Sequence, residues 1–172
     1  MKRTKRLKVK CKNLVRKDKT SIMNVRKRIK TFEDALFCLD ENDELKLLYH
    51  HIVKDNVSNR QEIIAYVKLC IIVKALNEGW RPTFIWSEFY YYPWIHVYSK
   101  EDYKVICEAY GPRAPKGQLI EKNDKVFTCE GSDSNSSSWV ANMPWRVALK
   151  SRELAIYCGQ QFLDLWVTYL FS

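Results

Sequence analysis

His50-His51, with Glu44 or Asp43 upstream, are ionisable side chains of types that could do chemistry together. A metal site or an acid–base pair is the chemistry those residue types allow. Neighbouring helical positions point about 100° apart, however, so adjacent histidines do not face one ion together, and the HExxH spacing is absent. His96 follows Tyr91-Tyr92-Pro93-Trp94 and reads as a packed strand residue. Cys11, Cys38, Cys70, Cys107, Cys129 and Cys158 are scattered without a CxxC or CxH pair, so zinc ligation is not expected. They read as free thiols of a reducing compartment, with Cys38, Cys70, Cys107 and Cys158 among apolar neighbours as small buried hydrophobes. The hydroxyl-rich run Gly131–Ser138 has no base beside it and reads as a polar loop. No GxGxxG, GxxxxGK[ST] or GxSxG occurs. The reading is therefore of a protein that is not an enzyme, with no catalytic residue, no metal ligand, no cofactor and no small-molecule substrate.

A second chemistry, neutralisation of polyanions, is written more strongly. Residues 1–30 hold 14 Lys and Arg against one acid, Asp18, while residues 31–172 hold 15 basic and 19 acidic side chains. The overall charge of +9 thus hides a segment at +13 joined to a body at −4. The cations are Lys2, Arg3, Lys5, Arg6, Lys8, Lys10, Lys12, Arg16, Lys17, Lys19, Arg26, Lys27, Arg28 and Lys30. Taken over its length the segment has few large apolar residues and no stable period, so it is expected to be extended, with residues 1–27 as an arm and 28–172 as one domain. Each phosphate paired with Lys or Arg releases a counterion, giving salt-dependent and largely sequence-independent binding. Nucleic acid or an acidic protein surface is the expected partner, alongside other subunits of an assembly.

Aromatic residues supply the third chemistry. Between Trp80 and Tyr98 there are nine, and Trp86, Tyr90, Tyr92 and Trp94 alternate in a way that would line one face of a strand. Such a face can stack nucleobases, anchor a protein partner or fill a core.

These residues need elements to hold them. With 172 residues, 47% hydrophobic and 13% aromatic, the chain is too apolar for a mainly disordered protein and is sized for one domain. No apolar run has the ~18–20 residues of a membrane span, and the basic start leads into no apolar signal core, so neither membrane insertion nor secretion is expected. Thr31 caps a short helix carrying Phe32, Ala35, Leu36 and Leu39 inward. A second helix, about 43–54, turns Leu45, Leu48, Tyr49 and Ile52 to one side, and a turn follows at 55–58. The capping-box pattern Ser58-Asn-Arg-Gln61 opens a long, all-round apolar helix that Gly79 ends as a left-handed cap. Strands are expected at about 84–91, 94–98, 103–109 and 125–129, with short ones at 139–143 and 146–149 and an irregular loop at 111–117. Ser151 then caps a closing helix, 152–170, with an apolar face. Helices, strands, helix is the order of an α+β fold: N-terminal helices, a small aromatic-rich antiparallel sheet and a C-terminal helix.

Four blocks carry a resemblance: Arg28–Ala35 (RIKTFEDA), Lys68–Pro82 with ALNEGW inside it, Tyr91–Trp94 (YYPW) and Lys150–Phe162. Over about residues 26–170 the chain resembles a family of small proteins of Bacteroidetes bacteria and their phages, including crAss-like phages. The resemblance supplies no catalytic residues. It implies a phage or prophage context, in which a small basic protein is expected to be a virion or assembly component in the host cytoplasm or the particle. The long cationic segment is an addition to the short start usual in that family.

Overall fold

In the computed structural model the described residues are 22–54, 60–83, 88–114, 118–136 and 144–171. The fold is α+β, a set of helices packed on a three-stranded antiparallel sheet.

The first helix, α1 at residues 22–28, stands where an extended arm is expected. Its cause is a short stripe, Ile22, Val25 and Ile29, at intervals of three and four residues; Val25 and Ile29 are fully buried in the main core. Tyr157 holds its end, the hydroxyl shared between the carbonyl oxygens of Ile29 at 2.6 Å and Arg26 at 2.9 Å. Helix α2 (Phe32–Phe37) opens on a true capping box. Thr31 Oγ1 accepts from Asp34 N at 3.1 Å, and Asp34 Oδ2 accepts from Thr31 N at 2.9 Å. Helix α3 (Glu44–Lys54) buries Leu45 and Ile52, but Leu48 is exposed and Lys46 is buried in its stead. Lys46 snorkels: its stem is covered while Nζ reaches Glu41 Oε1 at 2.8 Å.

Helix α4 (Gln61–Asn77) is the central helix, almost continuously buried from Ala65 to Asn77 and touched by α2, α3 and the C-terminal helices. Its cap is Arg60, with no side-chain bond, two residues beyond the start implied by the capping-box pattern; Ser58, like the turn at 55–58, lies outside the described residues. The helix also ends one residue early. Glu78 already adopts the left-handed conformation (φ 49°, ψ 47°) and Gly79 follows at φ 86°. That geometry costs a non-glycine residue about 1–2 kcal/mol. Here the Glu78 carboxylate holds Arg28 at 3.2 Å and Lys150 at 3.4 Å, which offsets it.

The sheet has the order β1-β3-β2. Strand β1 (Phe89–Ser99) is continuous where two strands are expected; Trp86 and residues 84–87 lie outside the described residues. Pro93 does not break it, because β1 is an edge strand. Tyr91 N and O both bond Leu149, at 2.9 Å each, so alternation turns the missing N–H of Pro93 the same way, off the ladder with β3. Strand β3 (Lys125–Ser136) runs through the supposed polar loop: Gly131 to Ser136 pair with Trp94 to Phe89. A bulge at Glu130 lies between Trp94↔Gly131 and Ile95↔Cys129. Strand β2 (Leu119–Lys122) joins β3 through Asn123-Asp124, both at positive φ.

The strand expected at 103–109 is a helix, α5 (Lys100–Tyr110). Ser99 Oγ accepts from Asp102 N at 2.9 Å, and Glu101 and Asp102 occupy the first turn, so capping and helix-end electrostatics override the β-branched residues within. No residue of α5 is buried. The loop expected at 111–117 starts as a 3-10 turn, Gly111–Arg113. The strand expected at 146–149 is a 3-10 turn, Trp145–Val147, followed by the single bridge Leu149↔Tyr91; residues 139–143 lie outside the described set. The closing helix is capped by Ser151 as expected but breaks at Phe162 (φ −122°, ψ 35°) into α6 (Arg152–Gln161) and α7 (Leu163–Phe171).

Helix α6 packs on both β1 and β3. Gly159 makes this possible: an added Cβ would stand 2.6 Å from Pro93 Cβ and closer still to Cys129 Sγ. Asn77 closes the other junction. Its Nδ2 donates to Ala148 O at 2.9 Å, and its Oδ1 accepts from Lys150 N at 3.1 Å.

Candidate interaction surfaces

The ionisable clusters come apart in three dimensions. His50 and His51 are exposed on α3, with the His50 ring 5.7 Å from Tyr49. Among the described residues no group of three or more His, Cys, Asp and Glu is placed to hold a metal ion. The five described cysteines are free. Burial is the leading cause that pushes the thiols of Cys70 and Cys129 up to about 11 and that of Cys158 to about 12, so all three are protonated fillers at neutral pH. Cys38 departs from the expectation and is exposed, because α2 ends there and turns it outward. Cys107 is only half-buried, on the surface helix α5.

A cleft with about 40 Å³ of room opens between α4, Trp80–Pro82 and the turn at Trp145–Arg146. That is space for a few waters, far short of the roughly 300–1,000 Å³ of a substrate pocket. A wider, open depression beside Arg28 and Asp34 presents Phe37, 89% exposed.

Ten of the fourteen candidate polyanion-binding cations, Lys2 to Lys19, lie outside the described residues. The other four sit on or beside α1. Arg26 lies over the Tyr157 ring at 4.9 Å and Arg28 pairs with Glu78, so both are tied to the body; Lys27 and Lys30 are exposed. The structure thus gives the cationic segment a fixed root, anchored by Val25, Ile29 and Tyr157.

The aromatic face divides in two. Tyr90 and Tyr92 are core residues, 1% and 6% exposed, their rings 5.9 Å apart and edge to face. Burial, and then the neighbouring Tyr90, raises the Tyr92 phenol well above its usual range. These two are therefore not part of an open platform. Trp94 is 55% exposed and heads a column of stacked rings. Its ring stacks on His96 at 5.3 Å with 7° between planes, and His96 stacks on Tyr98 at 5.8 Å with 3°. Tyr98 then touches Tyr103 of α5 at 5.9 Å. The i, i+2, i+4 spacing of Trp94, His96 and Tyr98 was the available signal, since alternate strand residues share a face.

The bulge puts an acid beside this column. Glu130 accepts from Thr128 Oγ1 at 3.0 Å, and burial, then the Glu130 charge and its hydrogen bond, raise the Tyr98 phenol. The arrangement offers ring faces and one carboxylate, suited to a flat ring or a cation. It brings Trp94 together with His96 and Tyr98, and not with Tyr90 or Tyr92. Among the described residues no helix is long and apolar enough to cross a membrane. No family model, curated protein or solved structure matches the chain.

Proposed function

We propose that the chain is a phage-type structural protein, a component of a virion or of its assembly in the bacterial cytoplasm. Its basic segment contacts nucleic acid or an acidic neighbouring subunit. The observation that carries this reading is the segregation of charge, +13 on residues 1–30 against −4 on the rest, with the cationic segment rooted in a packed body. The resemblance to proteins of Bacteroidetes and their phages supports the context.

The test is a salt titration of binding to a random-sequence duplex by the full chain and by a chain lacking residues 2–20. That deletion removes ten cations but leaves Val25 and Ile29, which the core needs. If six to ten cations reach phosphates, affinity of the full chain falls about 10³- to 10⁵-fold between 50 and 200 mM salt. The deleted chain binds weakly with a flat slope. Equal affinity and slope for the two would remove the segment as the binding element, and absence of the chain from purified particles would remove the structural role.

A second reading is favoured by the ring column: a soluble nucleic-acid-binding accessory protein that stacks a base on the outer face of Trp94. Stacking of this kind contributes about 1–3 kcal/mol per base. W94A would then weaken binding to a single strand while leaving duplex binding unchanged; equal effects on both would count against it.

A further inference from the structure

The edge of β1 beyond Pro93 has the geometry of a strand acceptor. Tyr91 turns its N–H and C=O away from β3 to Leu149, and alternation turns those of Ile95 and Val97 the same way. No described strand receives them. The bulge lies on β3, so β1 itself stays regular along this stretch. The two faces of this edge differ. On one, Ile95 packs with Phe127, Cys129, Leu163 and Val167, and Val97, paired with Phe127, is left 38% exposed. On the other stand the Trp94–His96–Tyr98 column and the Glu130 carboxylate.

The cationic segment contains a stretch with the matching pattern. Leu7-Lys8-Val9-Lys10-Cys11-Lys12 alternates apolar and cationic residues over six positions, the length and period of a short strand with one face apolar and the other charged. Laid along β1 between Trp94 and Ser99, Leu7, Val9 and Cys11 would meet the Ile95–Val97 face. Lys8, Lys10 and Lys12 would then lie over ring faces and an acid, where an ammonium gains both cation–π and ionic contact. The signs agree at large scale too, a segment rich in cations against a body at −4.

We propose that Leu7–Lys12 of one copy adds as a fourth strand to the β1 edge that no described strand pairs with, in a second copy, linking subunits through main-chain hydrogen bonds. This rests on the assembly reading above and names its acidic neighbour: the body of an identical chain. Pairing of this kind also covers an edge that would otherwise invite unspecific strand addition.

The test separates strand pairing from charge. V9P keeps every cation but removes a ladder N–H and fixes φ against the strand. In sedimentation of the full chain, V9P is expected to weaken self-association at least about tenfold (about 1.4 kcal/mol) while shifting duplex-DNA affinity less than about twofold. Unchanged self-association, or none in the wild-type chain at up to about 100 μM, overturns the proposal. A duplex affinity that is indifferent to deletion of residues 2–20 overturns the polyanion reading instead. The occupant is fixed by V97C, which is expected to give with Cys11 a covalent dimer of about twice 20.5 kDa on mild oxidation, lost in V97C/C11S. An intrachain disulfide between Cys11 and the thiol introduced by V97C, seen as a faster-running monomer, would place the segment on its own sheet and overturn the exchange between copies; so would the absence of any Cys11-dependent link.

Discussion

Replacing Gly159 by alanine puts the packing of α6 to its hardest trial, because two effects of opposite sign meet there. Gly159 lies inside α6, and in an open helix interior Gly→Ala stabilises by about 1 kcal/mol. Against this, the new methyl would stand 2.6 Å from Pro93 Cβ and nearer to Cys129 Sγ. Ordinary carbon contacts lie at about 3.5–4.0 Å, so roughly 1 Å of movement is needed. Pro93 is a rigid ring in β1, and Cys129 is a short, buried side chain of the central strand. Neither yields without displacing the sheet from α6. Overpacking of this kind costs about 1–3 kcal/mol and sometimes more; taking the upper end and subtracting the propensity gain leaves about 2 kcal/mol of net loss. For a chain of this size that is a fall of roughly 4–8 °C in Tm, measurable by circular dichroism or calorimetry. In a C129A background the nearer obstacle is gone, and the cost of G159A should shrink by about 1 kcal/mol. A G159A protein that melts at or above the wild-type temperature, or a cost unaffected by C129A, would refute the contact between α6 and the sheet as drawn.

N77A removes the donor to Ala148 O and the acceptor for Lys150 N, leaving two backbone groups to find water in a part-buried junction; urea denaturation should show a loss of about 2–4 kcal/mol. The carboxyl of Asp34 is held below its usual 3.8 by the backbone N–H of Lys30 and then of Thr31, so its contribution to stability is present above pH 3.8 and lost as pH falls through the lowered value. Tm measured against pH should therefore show wild type above D34N near neutrality and the gap closing in acid. Alkylation at pH 8 followed by peptide mass analysis should label Cys38 quickly in the native chain and reach Cys70, Cys129 and Cys158 only on unfolding.

Signals confined to one turn of chain were legible in the sequence. Thr31 and Ser151 cap the helices expected of them, and the unbroken apolar circumference of α4 marks the buried centre. The misses arise where a neighbour decides. Tyr103, Val105 and Ile106 carry strand propensity, yet Ser99 and the two acids after it start a helix at the surface, where packing does not vote. The serines from 132 to 136 carry a loop composition but lie opposite Phe89–Pro93, whose backbone supplies the ladder. Asn123-Asp124 was a readable turn signal for the β2–β3 hairpin, both residues tolerating positive φ. At the candidate surface, period two puts Trp94, His96 and Tyr98 on one face with Tyr90 and Tyr92. Which part of that face is covered depends on tertiary packing, and no local pattern records it.

The four sequence blocks 28–35, 68–82, 91–94 and 150–162 meet in space, and this limits what they can say about function. Arg28 and Lys150 converge on Glu78; Asn77 clamps Ala148 and Lys150; Leu149 bridges Tyr91; Pro93 lies against Gly159. Gln161 Nε2 donates to Lys30 O at 2.9 Å, and Tyr157 holds Ile29 and Arg26. Each of these residues is explained by closure of the fold, so a pattern built from them identifies an architecture and leaves the activity open. Trp94 stands outside these contacts. Tyr91, Tyr92 and Pro93 of the same block are used by bridge, core and helix contact, whereas Trp94 is exposed at the head of a column the core does not require. A residue that the packing of the described residues leaves unexplained, next to a strand edge that no described strand occupies, is where selection for a partner would act. If strand exchange is right, substitutions at Trp94, at Val97 and within Leu7–Lys12 should therefore change association while leaving the melting temperature of the body in place.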